Sequence, residues 1–200
     1  MLVVLEGHHD IQFLQRAAAV LRLDDNKLPE LSNLERCGQI VFVPFCGDVR
    51  GWAFRLAELG RPEFHLYDRE DTPATEVRLE MARVVNLRIG CRAEVMSKRS
   101  LENYLHPDAI LEARGIDVRF SDGDDVADRV AEQCYLRNHP DDRWIDLPAR
   151  SRRRLRNRVK SWLNTLTVER MTVARFAERN LAGEIRGWLQ IIAEMTDSAS

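Results

Sequence analysis

The sequence predicts an α/β fold, with a mostly parallel central sheet of about four strands flanked by helices and with an α-helical C-terminal extension. Two observations support this. Over roughly the first half of the chain, short apolar runs alternate with segments of helical periodicity. After Pro107 the strand pattern stops and only helical periodicity continues. We place an approximate domain boundary near residue 110, with a sheet domain over 1–110 and a helical extension over 111–200.

The four predicted strands are short and end at polar or turn-forming residues. Residues 2–5 form a continuous apolar run, which is typical of a strand buried on both faces of a parallel sheet. The second strand is predicted over 39–45 and is ended by Pro44, the third over 63–67, and the fourth over 92–96.

The remaining periodic segments predict helices. The first runs over 10–23, and its start at Asp10 is also compatible with a capping role for that residue. Segment 24–38 is polar and irregular. In the helix predicted from Thr72, Pro73 fits the first turn. The other predicted helices cover 48–59, 107–114, 125–138, 148–165 and 172–195.

Carboxylates follow three of the predicted strands. Glu6 follows the first and Asp10 comes four residues later, Asp68 and Glu70 follow the third, and Glu102 closely follows the fourth. The carboxyl ends of parallel strands meet at one edge of a sheet, where ligands bind in open α/β folds. The sequence therefore predicts that these side chains converge, either to hold a hard divalent cation or to share protons in acid/base chemistry.

Three segments resemble motifs of a known family. VVLEGHHDIQFL, over 3–14, resembles the first motif of the TOPRIM domain, and HLYDRED, over 65–71, resembles its DxD motif. KRSLENYL, over 98–105, resembles the R-x-x-E-N-Y-L segment of the OLD (overcoming lysogenization defect) family nucleases. The second DxD position is Glu70 instead of aspartate, so Asp71 is an alternative ligand.

The resemblance implies a TOPRIM-like Rossmannoid fold and an endonuclease that depends on one or two Mg²⁺ or Mn²⁺ ions. The implied metal ligands are Glu6, Asp10, Asp68, Glu70 and Glu102. Lys98 completes the implied catalytic set, contacting the scissile phosphate or stabilising the leaving oxygen. A structural interpretation stays open beside it, in which the same carboxylates only end strands, cap helices and form turns.

The resemblance also implies a partner. OLD proteins have an ATPase domain before the TOPRIM domain, whereas only five residues precede Glu6 here and no Gly-Lys pair of a Walker A loop occurs. Either the chain is a stand-alone TOPRIM protein or the ATPase is a separately encoded subunit; we expect the second, together with a role in phage defence. Two alternatives are a non-catalytic TOPRIM-like subunit that binds nucleic acid or regulates an ATPase, and a ribonuclease that trims structured RNA.

A basic segment over 149–160 has six arginines and Lys160 but no acidic residue. Phosphate-backbone contact explains such a run, although an acidic partner surface or a solvated helix face is also compatible. We assign nucleic-acid contact to Arg69, Arg150, Arg153, Arg154 and Arg158, and favour DNA over RNA although no residue decides between them. The apolar stripe of the last helix fits core packing, and it also fits pairing of two subunits in a homodimer.

Other features bear on location and on zinc. No apolar run approaches the ~20 residues of a membrane span, and residues 1–5 lack the basic region and cleavage site of a signal peptide. Four scattered cysteines, at 37, 46, 91 and 134, have no zinc spacing, and they predict buried, reduced thiols in a cytoplasmic protein. His8 and His9 lack a third ligand at zinc spacing, so a rim position is preferred.

Overall fold

The computed structural model describes residues 1–45 and 47–198. Its centre is a four-stranded sheet in the order β2-β1-β3-β4, and all neighbouring strands are parallel. The strands are β1 (Leu2–Leu5), β2 (Val41–Pro44), β3 (Glu63–Tyr67) and β4 (Cys91–Val95). This confirms the predicted α/β fold with flanking helices and a helical C-terminal part.

Nine α-helices lie within the described residues. They are α1 (His8–Leu21), α2 (Leu31–Arg36), α3 (Val49–Arg55), α4 (Ala74–Asn86), α5 (Pro107–Arg114), α6 (Val126–Leu136), α7 (Ala149–Trp162), α8 (Val173–Arg179) and α9 (Glu184–Asp197). A π-helical turn, Leu163–Thr167, follows α7 directly. Such turns inside or beside α-helices are frequent at functional sites.

The helices differ from the prediction in three details. The single helix predicted over 172–195 is two helices, because the chain breaks before α9 at Gly183, whose φ of 70° is left-handed and lies outside helical geometry. Helix α2 was missed because it has six residues and buries only Leu31, which leaves too little periodicity to detect. Asp10 is not the N-cap residue of α1, which is Gly7, but its carboxylate accepts the Gly7 N–H, as the third helical residue of a capping box does at that end of a helix.

Two cores lie on the two faces of the sheet. Side chains alternate along β1, so that Val3 and Leu5 join the larger core and Val4 joins the smaller one beneath α3 and α4. In the larger core, the Phe13 ring of α1 meets the Phe176 ring of α8 edge to face, with centroids 6.4 Å apart. The larger core therefore contains side chains from both sides of residue 110, and the division into two domains stays a prediction.

The outer edge of β4 is closed by a side chain. The Asn86 amide donates from Nδ2 to the carbonyl oxygen of Ala93 at 3.0 Å, and its Oδ1 accepts the Ala93 N–H at 2.8 Å. This amide occupies the two groups that a further strand would pair with, which is one way in which proteins protect sheet edges.

The structure also bears on the location predictions. Within residues 1–45 and 47–198, every helix is too short or too polar to cross a membrane. Cys91 is buried and Cys134 is partly buried, but Cys37 is exposed, so the prediction of a buried thiol is wrong for Cys37. The same prediction for Cys46 lies outside the described residues.

Candidate metal centre

Three of the predicted carboxylates meet at the carboxyl edge of the sheet. Glu6 directly follows β1 and Asp68 directly follows the neighbouring strand β3, with Glu70 two residues later. One oxygen of each carboxylate lies within 4.8 Å of the other two. We call these three residues the carboxylate triple. Carboxylate oxygens at this separation are suited to sharing a hard divalent cation.

Asp68 is the most deeply placed member of the carboxylate triple. Its residue is 3% exposed, and its Oδ1 is buried without a hydrogen-bond partner among the described residues. Leaving a buried polar atom unpaired is costly, and a bound cation would remove that cost. The chemistry of the donors and this unpaired oxygen both fit a divalent ion.

Burial and mutual repulsion raise the pKa of two members of the carboxylate triple, Asp68 and Glu6. Burial, followed by the negative charges of Asp10, Glu6 and Glu102, raises the pKa of Asp68 well above its ordinary value. Burial also raises the pKa of Glu6, although the nearby Arg78 guanidinium opposes this shift. A bound cation favours the ionised form and would reverse both shifts.

Asp10 lies beside the carboxylate triple without belonging to it. Its Oδ2 accepts the backbone N–H of Gly7 at 2.7 Å. Burial and the charge of Glu102 are the main causes that raise the pKa of Asp10 to about 7, while Lys160 opposes them. The group is therefore partly protonated near neutral pH, which suits a residue that exchanges protons.

Glu102 is held by partners within the protein. The residue is 1% exposed, and its Oε2 accepts from the Ser100 hydroxyl at 2.7 Å. Its Oε1 accepts from Asn164 Nδ2 at 2.7 Å and lies 3.5 Å from Lys160 Nζ. Burial opposes ionisation, but Lys160 and these hydrogen bonds outweigh it, so the pKa of Glu102 is lowered.

Lys160 is a site residue that the sequence analysis did not single out. Glu102 is the main cause of its raised pKa, burial opposes the shift, and Asp68 and Asp10 add to it. The lysine lies in the last turn of α7, and Asn164 lies one turn later in the π-helical turn. In the sequence, Lys160 is the last member of a basic run, and no local pattern distinguishes it from the arginines before it.

Arg78 is a second cation that the sequence analysis missed. From α4, its Nε and Nη2 both donate to Glu6 Oε1, at 3.0 and 2.7 Å. This arrangement engages one oxygen of Glu6. In the sequence, Arg78 is one of several arginines on an amphipathic helix, and no local pattern distinguishes it.

Glu70, and not Asp71, faces the site. The backbone of Glu70 has a φ of 56°, an uncommon conformation for a residue with a side chain. Two hydrogen bonds hold it there, one from its N–H to the Arg99 carbonyl at 3.1 Å and one from the Thr75 hydroxyl to its own carbonyl at 2.9 Å. Asp71 is exposed and pairs with Arg99 at 2.7 Å.

The structure does not place Lys98 against the carboxylate triple. Its ammonium group donates to Asp122 and lies 5.4 Å from the centroid of the Tyr104 ring. Arg69 is exposed and donates to the Ser97 carbonyl at 3.1 Å. On α7, the four arginines that we assigned to nucleic-acid contact, at 150, 153, 154 and 158, are all exposed.

The histidines form no zinc site among the described residues. His65 is fully buried on β3, where Nε2 lies 2.8 Å from Glu63 and Nδ1 lies 2.9 Å from the Tyr67 hydroxyl. His8 is exposed and contacts Gln12 at 3.1 Å. The neighbouring His9 is partly buried.

Comparisons with protein-family models, curated proteins and solved structures found no match. The resemblance to the TOPRIM domain of OLD nucleases stays a prediction that depends on its three sequence segments.

Proposed function

We propose that this chain is a nuclease that uses Mg²⁺ or Mn²⁺ to hydrolyse phosphodiester bonds, with DNA as the favoured substrate. One observation supports this above all others. The carboxylate triple converges where open α/β sheets bind ligands, and it includes a buried Asp68 oxygen without a partner.

The charge balance favours divalent cations. Five carboxylates influence one another at this edge, whereas the neighbouring basic groups are Arg78, Lys160 and Arg99, whose Nη2 lies 3.9 Å from Glu70 Oε2. With all of them ionised, two negative charges stay uncompensated, which one divalent ion would balance. Glu6, Asp68 and Glu70 would hold this ion, which supplies polarisation of a phosphoryl oxygen when bound.

The chain's own residues supply the remaining chemistry. Asp10, whose pKa is about 7, accepts a proton from the attacking water. Lys160 stays protonated beside Glu102 and stabilises negative charge that develops on the phosphoryl oxygens. Asn164 and Ser100 hold Glu102 in place, which fixes the position of Lys160.

Exposed arginines on α7 extend the positive surface away from the site. Arg153 and Lys160 are seven residues apart, so they lie on the same face of the helix about 10 Å apart along its axis. A nucleic-acid backbone that contacts Arg153 is thereby led toward the carboxylates. The separate ATPase subunit and the phage-defence role are proposed from the resemblance alone.

A second candidate is a non-catalytic subunit that binds nucleic acid or regulates an ATPase. The ion pairs of Arg78 with Glu6 and of Lys160 with Glu102 favour it, because they already neutralise part of the cluster. In this case the carboxylates stabilise the fold or bind a cation without cutting.

A nuclease assay separates the two candidates. The protein is incubated with supercoiled plasmid, linear DNA and tRNA, in Mg²⁺, Mn²⁺ or EDTA. We expect cutting that requires the metal and falls at least a hundredfold in Asp68→Asn and Glu6→Gln, but not in the exposed control Asp141→Asn. Cutting that survives both substitutions would show that the assigned site is wrong.

If the protein does not cut, calorimetry with Mn²⁺ distinguishes the remaining explanations. Metal binding that is lost in Asp68→Asn, without nuclease activity, would support the non-catalytic candidate. If the wild-type protein neither cuts nor binds Mn²⁺, the metal-dependent function is wrong.

A further inference from the structure

A cavity lies on the side of α7 that faces away from Lys160. Its volume is about 320 Å³, and the end of α6, the segment after it and α7 enclose it. From α7 the cavity is lined by Leu155, Arg158, Val159 and Trp162, whose spacing of three and four residues defines one helix face. Arg158 and Lys160 are two residues apart, which is about 200° around the helix. One helix therefore separates the carboxylate site from this cavity.

Three guanidinium groups line the cavity, those of Arg114, Arg137 and Arg158. Arg137 donates to the backbone carbonyls of Arg114 and Gly115, at 3.3 and 3.5 Å. Arg114 lies 6.0 Å from the centroid of the Trp162 ring. In the part of the chain that the structure describes, none of the three forms an ion pair with a carboxylate.

The three arginines share a neighbour, Cys134, which also lines the cavity. Burial raises the pKa of the Cys134 thiol, and the charges of Arg137, Arg114 and Arg158 all oppose that shift. Two other arginines in this part of the chain do have counter-ions. Arg156 pairs with Asp125 at 2.9 Å, and Arg129 pairs with Asp124 at 2.6 Å. An acidic protein thus leaves three neighbouring arginines without counter-ions around a cavity.

Aromatic rings form another part of the wall. The rings of Tyr135 and His139 are stacked, with centroids 4.6 Å apart and an interplanar angle of 25°. Both contact Asp142, through the Tyr135 hydroxyl at 2.5 Å and through His139 Nδ1 at 3.9 Å. Asp142 is therefore engaged with the rings, and within the described residues it forms no ion pair with the three arginines.

We propose that this cavity binds a nucleotide, with its phosphate against Arg114, Arg137 and Arg158 and its base against the Tyr135–His139 pair. Guanidinium groups match phosphate oxygens in geometry and charge. Stacked rings accept any base, because every base has a π face. The volume is at the lower end of the range of about 300–1,000 Å³ that is typical of small-molecule sites.

The nucleotide is either free or part of a strand, and binding measurements distinguish these sources. Isothermal titration calorimetry in EDTA uses three probes: inorganic phosphate, adenosine 5′-monophosphate and a single-stranded 12-mer of DNA. Binding of the monophosphate indicates a free nucleotide. Binding of the 12-mer without the monophosphate indicates a strand. If no probe binds, the proposal is wrong.

Substitutions locate the binding. Arg158 is exposed and its guanidinium has no ion-pair partner, so Arg158→Gln preserves the fold, and Arg114→Gln provides a second test. We expect each substitution to lower the affinity for the probe about tenfold or more, which is the loss typical of a hydrogen bond to a charged group. Arg83→Gln removes one exposed charge from α4, and we expect less than a twofold change. Wild-type affinity in both cavity variants would overturn the proposal.

Two further variants complete the test. Tyr135→Leu should weaken binding of the monophosphate or the 12-mer but not of inorganic phosphate. If the variant binds the monophosphate and the 12-mer as tightly as the wild type does, stacking of the base is refuted. Asp68→Asn should bind inorganic phosphate and the monophosphate as the wild type does, because the carboxylate site lies across α7. A failure of this cavity is thus distinguishable from a failure of the proposed nuclease site.

Discussion

Asp10→Asn should stabilise the protein in the absence of metal, and the gain should grow with pH. Asp10 is 6% exposed, and burial and the charge of Glu102 are the main causes of its raised pKa. Asparagine removes the charge and keeps an oxygen that accepts the Gly7 N–H. The substitution therefore relieves the electrostatic cost without removing the hydrogen bond at the start of α1.

The magnitude follows from the two pKa values of Asp10. The carboxyl group loses its proton near its ordinary value of 3.8 in the unfolded chain and at about 7 in the folded protein. Between these values the folded state binds more protons, so stability falls as pH rises, and it levels off above about pH 7. One pKa unit corresponds to about 1.36 kcal/mol, so the ionised Asp10 carboxylate lowers the free energy of unfolding by about 4 kcal/mol above pH 7. The new amide N–H group offsets about 1 kcal/mol of the gain.

Urea unfolding in EDTA from pH 4 to pH 8 measures this effect. The free energy of unfolding of Asp10→Asn should match that of the wild type near pH 4 and exceed it by about 3 kcal/mol at pH 8. The exposed control Asp141→Asn should stay within about 0.5 kcal/mol throughout. A gain that is absent at pH 8, or that is equal at pH 4 and pH 8, would refute the electrostatic reasoning.

Three further predictions concern the metal, the buried ion pair and the sheet edge. Mg²⁺ or Mn²⁺ should raise the melting temperature of the wild type above its value in EDTA, and Asp68→Asn should abolish that rise; a rise that persists would exclude Asp68 as a ligand. Lys160→Gln should lower the free energy of unfolding by about 3 kcal/mol, because Glu102 loses its cation, and Glu102→Gln added to it should restore part of the loss; two independent effects in urea unfolding would contradict the pairing. Asn86→Ala exposes the backbone groups of Ala93 at the β4 edge, so sedimentation should show more self-association than in the wild type, and identical profiles would contradict a protective role.

The sheet was predictable because its signals are local. The apolar run Leu2–Leu5 and the buried strand Glu63–Tyr67 each end at a carboxylate, and a parallel arrangement then places Glu6 and Asp68 at one edge. The convergence of these residues with Glu70 follows from the same rule and is present in the structure. The break before α9 was not predicted, because the apolar stripe continues across Gly183.

The cations of the site were not predictable, because their positions depend on packing between distant segments. Arg78 is 72 residues from Glu6, and Asn164 is 62 residues from Glu102. In the sequence, Lys160 is the last member of a basic run that indicates phosphate contact. Only the docking of α7 and its π-helical turn against the sheet brings this lysine to Glu102.

The separation of the carboxylates from their cations has a consequence for synthesis on the ribosome. All five carboxylates, at 6, 10, 68, 70 and 102, are translated before Lys160 and Asn164. A nascent chain that has emerged as far as Glu102 has Arg78 to compensate Glu6, whereas Lys160 and Asn164, which contact Glu102, are still to come. The sheet edge can reach its native charge balance only after α7 docks, so the order of translation delays assembly of the site until the helical part has been made.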